Sequence, residues 1–205
     1  MGRYIGSVCK LCRRESEKLF LKGNRCLTTK CAMEKRNYPP GPHSRRMRPS
    51  DYGMQLREKQ KLKRVYRLYE KQFKHYFEVA SGSPGVTGHK FLELLETRLD
   101  NVVYKIGWAS SRDQARQMVT HGHVTINGKK VNIPSYQVKA GSKVALTVQG
   151  ARSKLLSINE SNKHSIPPWI QYSAKTKSAE MLRPPKREEV ETHTNEQQVV
   201  EFYSR

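Results

Sequence analysis

The 205-residue sequence predicts an α+β fold. We expect a mostly helical domain, a small module of two helices packed on a short antiparallel sheet, and a cysteine-bearing knuckle at the N-terminus. Three observations predict this arrangement: apolar residues recur at helical spacing after residue 50, short apolar runs flank an Asn-Gly pair, and all four cysteines fall within residues 9–31. The expected segments are a knuckle and basic arm at 1–44, a discontinuous helical domain at 45–97 with 180–205, the module at 98–160, and an extended connecting segment at 161–179.

The cysteines are spaced C-x2-C-x13-C-x4-C and are Cys9, Cys12, Cys26 and Cys31. Two close pairs joined by a short loop suit tetrahedral Zn²⁺, and four protein thiolates would make the site structural because no position is left for water. An iron-sulfur cluster is the alternative, although the spacing is not a standard ferredoxin run. A disulfide is disfavoured because the chain looks cytosolic. The sequence therefore predicts an N-terminal metal knuckle that holds Zn²⁺ or, alternatively, an iron-sulfur cluster.

The charge balance predicts a polyanionic partner. The formal net charge is +21 and the pI is near 10, and residues 1–75 contain 21 Lys and Arg against six Asp and Glu. Neutralising phosphates releases counterions, which makes a nucleic acid the natural ligand of such a chain. No apolar run approaches the roughly 20 residues of a membrane span, and the N-terminus lacks the apolar segment of a signal peptide. We also find no catalytic constellation, so we expect neither an enzyme nor a small-molecule substrate.

The first long helix is expected to begin after Ser50, which is a candidate N-cap. Over residues 62–77 an apolar stripe lies on one helical face: Leu62, Val65, Tyr66, Tyr69, Phe73, Tyr76 and Phe77. The opposite face carries Lys63, Arg64, Arg67, Lys71 and Lys74, with Glu70 as its one acid. A run of charges is usually only a solvated face. The scarcity of acids and the basic neighbours favour a phosphate-binding face here.

The module is expected to contain a helical stretch over HKFLELLETRLDNVVYKIGWA and a second helix over SSRDQARQMVTHG. Ser111 and Gln114 resemble a capping box, and Gly122 is typical of a helix end. Asn127-Gly128 between two strands predicts a type I′ hairpin, and another strand follows over residues 143–148. The order of elements is therefore helix, helix and a small antiparallel sheet.

Cationic and polar side chains concentrate on one part of this module. Arg112 and Arg116 are one helical turn apart, and the backbone N–H groups at the start of their helix suit a phosphate. His121 and His123 are each more often surface or capping residues. Their neighbours Arg98, Arg112, Arg116, Lys129 and Lys130 favour contact with RNA.

The C-terminal residues NEQQVVEFYSR predict an amphipathic helix capped by Asn195. Val199, Phe202 and Tyr203 would then pack on the first helical region.

The run RLDNVVYKIGWASSRDQARQMVTHGHVTINGKKVNIPSYQV, residues 98–138, closely resembles the RNA-binding module named after bacterial small-subunit ribosomal protein S-four. The parent family is also matched outside the module, by PSDYGMQLREKQKLKRVY at 49–66, PPGPH at 39–43 and the ending VVEFYSR. The resemblance spans essentially the whole chain. It is to the cysteine-containing form of the family, whose N-terminal segment carries a metal.

The resemblance implies a non-enzymatic, cytoplasmic component of the small ribosomal subunit. Such a protein binds 16S rRNA at a multi-helix junction in its 5′ domain and nucleates assembly of the subunit body. It also implies contact with ribosomal protein S-five, an influence on translational accuracy and, in some bacteria, repression through its own mRNA. From charge, position and resemblance together, the predicted RNA contacts are Arg3, Arg13, Arg14, Arg45, Arg46, Arg48, Tyr52, Arg57, Lys59, Lys61, Lys63, Arg64, Arg67, Lys71, Arg98, Arg112, Arg116, His121, His123, Asn127, Lys129 and Lys130.

Two other functions carry the same module. An RNA-modifying enzyme would need a catalytic domain, and the basic helical region and knuckle outside the module leave no segment of that size. A free translational repressor is expected to be shorter and to lack the long basic arm. Both remain alternatives to the ribosomal reading at this point.

Overall fold

The computed structural model describes residues 4–42, 50–153, 166–192 and 194–205. They form two compact units: the described residues within Met1–Phe91 and Thr192–Arg205 make the first, and those within Leu92–Glu191 make the second. The helices are α1 Val8–Glu15, α2 Ala32–Lys35, α3 Asp51–Val65, α4 Glu70–Ser81, α5 Thr87–Glu96, α6 Leu99–Ile106, α7 Arg112–Thr120, α8 Val148–Ala151 and α9 Glu196–Tyr203, with 3₁₀ turns at Gly23–Leu27 and Arg187–Glu189. The strands are β1 Val124–Ile126, β2 Lys129–Lys130, β3 Lys143–Leu146, β4 Ile170–Ser173 and β5 Ser178–Met181. None of the helices in these ranges combines the length and apolar character needed to cross a bilayer.

Helix α3 begins as predicted, since the Ser50 hydroxyl accepts a hydrogen bond from the Gly53 N–H. The prediction of one continuous apolar stripe over residues 62–77 is wrong. Helix α3 ends at Val65, and Arg67 has φ +58° in the left-handed region before α4 begins at Glu70. A single helical projection does not hold across that break, which leaves Tyr69 half exposed instead of in the core.

The C-terminal helix α9 packs on the first helical region, as predicted. Its N-terminus is capped by Asn195, whose Oδ1 accepts from the Gln197 N–H at 3.0 Å. Val199 is fully buried. The Tyr203 ring stacks on Phe77 with centroids 4.7 Å apart. Aromatic contacts therefore tie the end of the chain to α4.

The predicted single helical stretch around residues 89–109 is two helices. Helix α5 ends at Glu96 and α6 begins at Leu99, with Arg98 between them in an extended conformation. Arg98 forms an isolated antiparallel bridge with Gln137, so the backbone there pairs with a loop instead of continuing the helix. Periodicity could not show this break because apolar residues continue on both sides of it.

The second unit is built on a five-stranded antiparallel sheet in the order β2-β1-β3-β5-β4. The β1–β2 hairpin is confirmed, with φ +50° at Asn127 and +80° at Gly128, as a type I′ turn requires. Strands β4 and β5 were not predicted, because residues 170–181 were interpreted as extended connector and tail. Ala179 and Met181 of β5 are buried against the same core as Trp108.

Candidate nucleic-acid interface and cysteine cluster

The four cysteines come together in the first unit. Cys9 and Cys12 lie on α1, Cys26 lies in the first 3₁₀ turn and Cys31 precedes α2. All four are free thiols, and they line one small cavity of about 20 Å³. The Lys22 N–H donates a 3.3 Å hydrogen bond to the Cys26 sulfur. The four cysteines therefore border the same small space.

Burial raises the pKa of the Cys12 and Cys26 thiols. A bound cation would have to displace their protons, since the thiolate is the metal ligand. As the side chains are placed, no group of three or more His, Cys, Asp or Glu residues in the described part of the chain could hold a metal ion. The cluster supplies four thiols, the donor type that Zn²⁺ takes in structural sites.

The cysteine segment is joined to α3 by ion pairs. The Glu15 side chain is only 1% exposed and contacts Arg64 and, at 3.4 Å, Arg57. Burial raises the pKa of the Glu15 carboxyl, and the two guanidinium groups oppose that shift. Lys61 pairs with Glu17 of the same segment at 2.8 Å. In the sequence, Glu70 is the one acid on the basic face of this helical region. The tertiary structure adds Glu15 and Glu17, which come from a segment distant in the chain.

Glu70 at the start of α4 gathers a second set of partners. Its carboxylate contacts Lys59 at 2.5 Å and Lys63 at 2.7 Å, and it accepts a 2.9 Å hydrogen bond from the Tyr203 hydroxyl. Burial opposes ionisation, but these hydrogen bonds lower the pKa of Glu70 to about 2. The Lys59 ammonium also lies 4.6 Å from the Phe202 ring centroid and is almost fully buried. Lys59 therefore has a packing role that its sequence position did not reveal.

Arg98 and Arg116 are part of a buried network in the second unit. Arg98 is fully buried and donates two hydrogen bonds to Asp100, at 3.1 and 2.9 Å. Arg116 is 7% exposed, and its guanidinium is 3.9 Å from the same carboxylate. Both guanidinium groups therefore lie inside the unit, although the sequence predicts RNA contact for Arg98 and Arg116. Through Asp100, these arginines connect the start of α6 to the middle of α7.

Arg112 lies at the edge of this network. Its Nε donates a 2.8 Å hydrogen bond to Asn101, and its guanidinium lies 4.6 Å from the Tyr104 ring centroid. Ser111 caps the helix as predicted, accepting from the Gln114 N–H. The Gln114 side chain accepts from Ser110 at 2.7 and 2.8 Å, one residue earlier than in a standard capping box. The start of α7 is therefore held by hydrogen bonds to Asn101 and to the residues that precede the helix.

The β1–β2 hairpin presents an exposed polar and cationic surface. His121, Asn127, Lys129 and Lys130 are exposed, and His123 is half buried. Gly122 has φ +69°, and an added Cβ would come within 2.0 Å of the Lys130 side chain. The left-handed φ favours glycine at this position, whereas the mobile end of the Lys130 side chain could move aside for a Cβ atom.

Two polar side chains at this hairpin differ in their hydrogen bonding. Asn127 Oδ1 accepts a 2.8 Å hydrogen bond from the Lys143 N–H, which fixes the turn to β3. The His123 Nδ1 atom is buried and has no hydrogen-bond partner among the described residues. Asn127 thus supports the turn in addition to lying on the exposed surface.

The other predicted contacts are scattered over the first unit. Arg14 and Lys71 are exposed, Tyr52 is half exposed beside Phe202, and Arg13 donates a 2.9 Å hydrogen bond to the Tyr38 carbonyl. Arg67 lies at the break between α3 and α4. Four predicted residues lie outside the described residues: Arg3, Arg45, Arg46 and Arg48.

Comparison with known proteins matches both units. A model of the ribosomal protein S4/S9 N-terminal domain matches residues 3–96, and an S4 domain model matches residues 97–144. The small ribosomal subunit protein uS4 of Halothermothrix orenii is 52% identical over 208 residues, covering 100% of both chains. The chain belongs to the S4 family of ribosomal proteins. The uS4 proteins of Thermus thermophilus and Dictyoglomus turgidum are 53% and 52% identical, again over 100% of both chains.

The contacts described above fall within the two segments that the family models match. The S4/S9 N-terminal match contains the cysteine cluster and the ion pairs of Glu15 and Glu70. The S4 domain match contains the buried Arg98 network and the exposed β1–β2 hairpin. The family resemblance read from residues 49–66, 98–138 and 199–205 is thereby confirmed. The pairing glutamates were missed because no local pattern indicates which distant helix a carboxylate will meet.

Proposed function

We propose that this S4 family chain is a structural protein of the small ribosomal subunit and binds 16S rRNA directly. The observation that carries the proposal is the likeness of the whole chain to proteins named small ribosomal subunit protein uS4. Relatives with this name are 51–53% identical to the chain. The net charge of +21 supports a polyanionic ligand. Its place is the small subunit in the cytoplasm.

The β1–β2 hairpin and the end of α7 are the proposed contact of the second unit. His121, Lys129 and Lys130 are exposed there and no acid lies among residues 121–130. The major groove of an A-form helix is too narrow for side chains, so these residues would contact phosphates and 2′-hydroxyl groups. Arg98 and Arg116 would act indirectly, by holding α6 and α7 in place beneath this surface.

In the first unit, exposed cations such as Arg14 and Lys71 are the proposed phosphate contacts. Arg57 and Arg64, which pair with Glu15, keep partial access, since Arg57 is 34% exposed and Arg64 is 19% exposed. Lys59, which pairs with Glu70, is almost fully buried. These ion pairs orient the side chains, which lowers the entropy lost on binding RNA. The remaining proposed contacts are those of the sequence analysis.

The finer role follows from the same proposal. The 5′ domain junction would be the binding site, early binding there would nucleate assembly of the subunit body, and contact with ribosomal protein S-five would affect translational accuracy. Repression through the chain's own mRNA is a further activity consistent with RNA binding. An RNA-modifying activity is disfavoured, since the matched relatives are named as ribosomal proteins along their full length.

Two measurements test the proposal. The full chain should sediment with small subunits in a gradient of cell extract, and the purified chain should bind a transcript of the 16S rRNA 5′ domain more tightly than a transcript of another rRNA domain of equal length. Sedimentation only outside ribosomal particles, or equal affinity for both transcripts, would overturn it.

We further propose that the cysteine cluster holds a structural Zn²⁺ ion. Three observations support this proposal. Four free thiols line one cavity, one pair of cysteines comes from α1 and the other from the segment that runs from the 3₁₀ turn to α2, and nearby cations favour the thiolate form. The spacing of the cysteines is not a standard ferredoxin run, which favours a single ion over an iron-sulfur cluster. Zn²⁺ would crosslink α1, the 3₁₀ turn and α2.

Elemental analysis of anaerobically purified chain separates the two metals. One zinc per chain and no iron is the expected result. Iron with visible absorbance would show a cluster instead, and a chain with neither metal would overturn the proposal.

A further inference from the structure

The first unit contains a second, larger cavity at the break between α3 and α4. Its volume is about 260 Å³, just under the roughly 300 Å³ at which ligand pockets begin. One wall comes from the N-terminal segment through Tyr4 and Leu11, and the other comes from residues 60–69. A space of this size suits a single nucleotide and is too small for a folded segment of another protein.

The lining of this cavity is aromatic and cationic. Tyr4 is 41% exposed and Tyr69 is 50% exposed, so two large rings remain in contact with water beside it. Lys63, Arg64 and Arg67 also line it. Lys63 is paired with Glu70 and Arg64 with Glu15, and neither of these carboxylates is among the described residues that line the cavity. RNA-binding proteins use this combination for unpaired nucleotides, with bases stacked on aromatic rings and phosphates near cations.

The backbone at Arg67 supports a binding role. Its φ of +58° is disfavoured for a residue with a Cβ atom, and glycine or asparagine would adopt it more readily. Its Nη2 donates a 3.2 Å hydrogen bond to the Tyr4 carbonyl, and its guanidinium lies 5.6 Å from the Tyr4 ring centroid. Strained residues of this kind cluster at ligand-binding positions. Here the strain places a guanidinium group against an aromatic ring at the cavity wall.

We infer that this cavity binds one unstacked nucleotide from a single-stranded or looped segment of RNA. The base stacks on Tyr69 or Tyr4 over the apolar surface of Leu68, and its phosphate lies near Arg67 and Lys63. Gln60 offers both a donor and an acceptor to the base edge. This inference rests on the proposed binding of rRNA and adds a defined pocket to what would otherwise be a phosphate-contacting surface.

The test uses the full chain and the 16S rRNA 5′ domain transcript. Ultraviolet crosslinking of the complex, followed by digestion and mass spectrometry, should give a nucleotide adduct on the peptide that contains Tyr69 or on the one that contains Tyr4. Tyr69→Leu should weaken binding roughly 5- to 150-fold, the range for loss of one base–aromatic stack. Tyr69→Phe keeps the ring and should bind like the unaltered chain.

Each outcome separates the pocket from the proposed function. If the unaltered chain binds the transcript but Tyr69→Leu binds equally well and neither tyrosine is crosslinked, the pocket inference is wrong and the proposed function stands. If the unaltered chain does not bind the transcript, both are wrong. Equal affinity for a free nucleoside monophosphate and for the transcript would overturn the assignment to RNA.

A folding control accompanies these measurements. Thermal melting of Tyr69→Leu should match the unaltered chain, since this side chain is half exposed. An adduct on the unaltered chain supports the pocket even if that variant misfolds.

Discussion

The hydroxyl of Tyr203 donates a 2.9 Å hydrogen bond to the Glu70 carboxylate, which joins the third residue from the C-terminus to the first residue of α4. Lys59 and Lys63 of α3 contact the same carboxylate. One side chain therefore holds three helices, α3, α4 and α9, that are far apart in the sequence. The ring of Tyr203 adds to this by stacking on Phe77.

Tyr203→Phe should destabilise the docking of α9 by about 1–2 kcal/mol. The substitution keeps the stacked ring and removes one hydrogen bond to a charged acceptor. Amide hydrogen exchange should show faster opening of α9, with Val199 as the reporter. Tyr52→Phe is the matched control, because its ring is half exposed on α3, and it should change stability by less than about 0.5 kcal/mol. Unchanged exchange in Tyr203→Phe would mean that the hydrogen bond contributes nothing.

The stability of the first unit should fall in acid partly through Glu70. Its folded pKa of about 2 lies below the ordinary value of 4.5, so the unfolded chain binds the proton more tightly. The stabilisation is therefore complete above about pH 4.5 and is lost as the pH falls toward 2. The effect should be modest, because the carboxylate is 46% exposed and solvent screens it.

A carboxyl-carbon NMR titration measures this directly. The Glu70 resonance should titrate with a midpoint near 2, and Glu70→Gln should make the stability of α3 and α4 less dependent on pH between 4.5 and 2. Glu78→Gln removes an exposed carboxylate 3.9 Å from Lys74 and serves as the control. A Glu70 midpoint near 4.5 would contradict the prediction.

Arg98→Met should destabilise the second unit by about 3–5 kcal/mol, because it leaves the Asp100 carboxylate buried without its main partner. The double change Arg98→Met with Asp100→Leu should be less damaging than the single one, since it removes both charges. Urea unfolding followed by Trp108 fluorescence reports on this core. A Lys130→Ala control at the exposed hairpin should leave the unfolding curve nearly unchanged. Normal stability with lost RNA binding in Arg98→Met would instead support direct contact by Arg98.

Local signals predicted the elements that depend on neighbouring residues. The Ser50, Ser111 and Asn195 caps, the Asn127-Gly128 turn and the packing of α9 could be read from the sequence because each follows from short-range hydrogen bonding or apolar spacing. The whole-chain resemblance to the S4 family was equally accessible. What could not be read was the ion-pair partner that each charged side chain meets, such as Glu15 for Arg64 or Glu70 for Lys59.

Two examples show why the rest was not accessible. Arg98 looks like any other arginine of a basic module, and only the fold shows that its guanidinium is paired with the nearby Asp100 and has no exposure to solvent. Strand β5 was missed because SAEM has weak strand propensity and is a strand only through its pairing with β3. Tertiary context overrides local preference in both cases.

The exposed lysines of the hairpin should contribute to RNA affinity through phosphates. Lys129→Ala with Lys130→Ala should weaken binding to the 5′ domain transcript, and it should reduce the slope of log affinity against log salt concentration by about 1–2. Filter binding over a salt series measures both quantities. Lys143→Ala, an exposed cation on β3 of the same sheet, is the matched control for charge. An unchanged slope would show that neither hairpin lysine neutralises a phosphate.

If the proposed Zn²⁺ is bound, its loss should unfold the cysteine segment and leave the second unit intact. Cys26→Ser removes one of four ligands and exposes α1, whose buried contacts within its own segment are few: Val8, Cys12, Leu19 and Leu21 form a small separate cluster. Amides of α1 and α2 should then lose protection from hydrogen exchange, while those of α6 and α7 keep it, because their core lies in the other unit. A chelator added to the unaltered chain should reproduce this pattern, and Zn²⁺ should reverse it.

Thr28→Ser, an exposed change in the same loop, is the control and should leave protection unchanged. Full protection of α1 in Cys26→Ser would show that the ion pairs of Glu15 with α3 hold the segment without a metal.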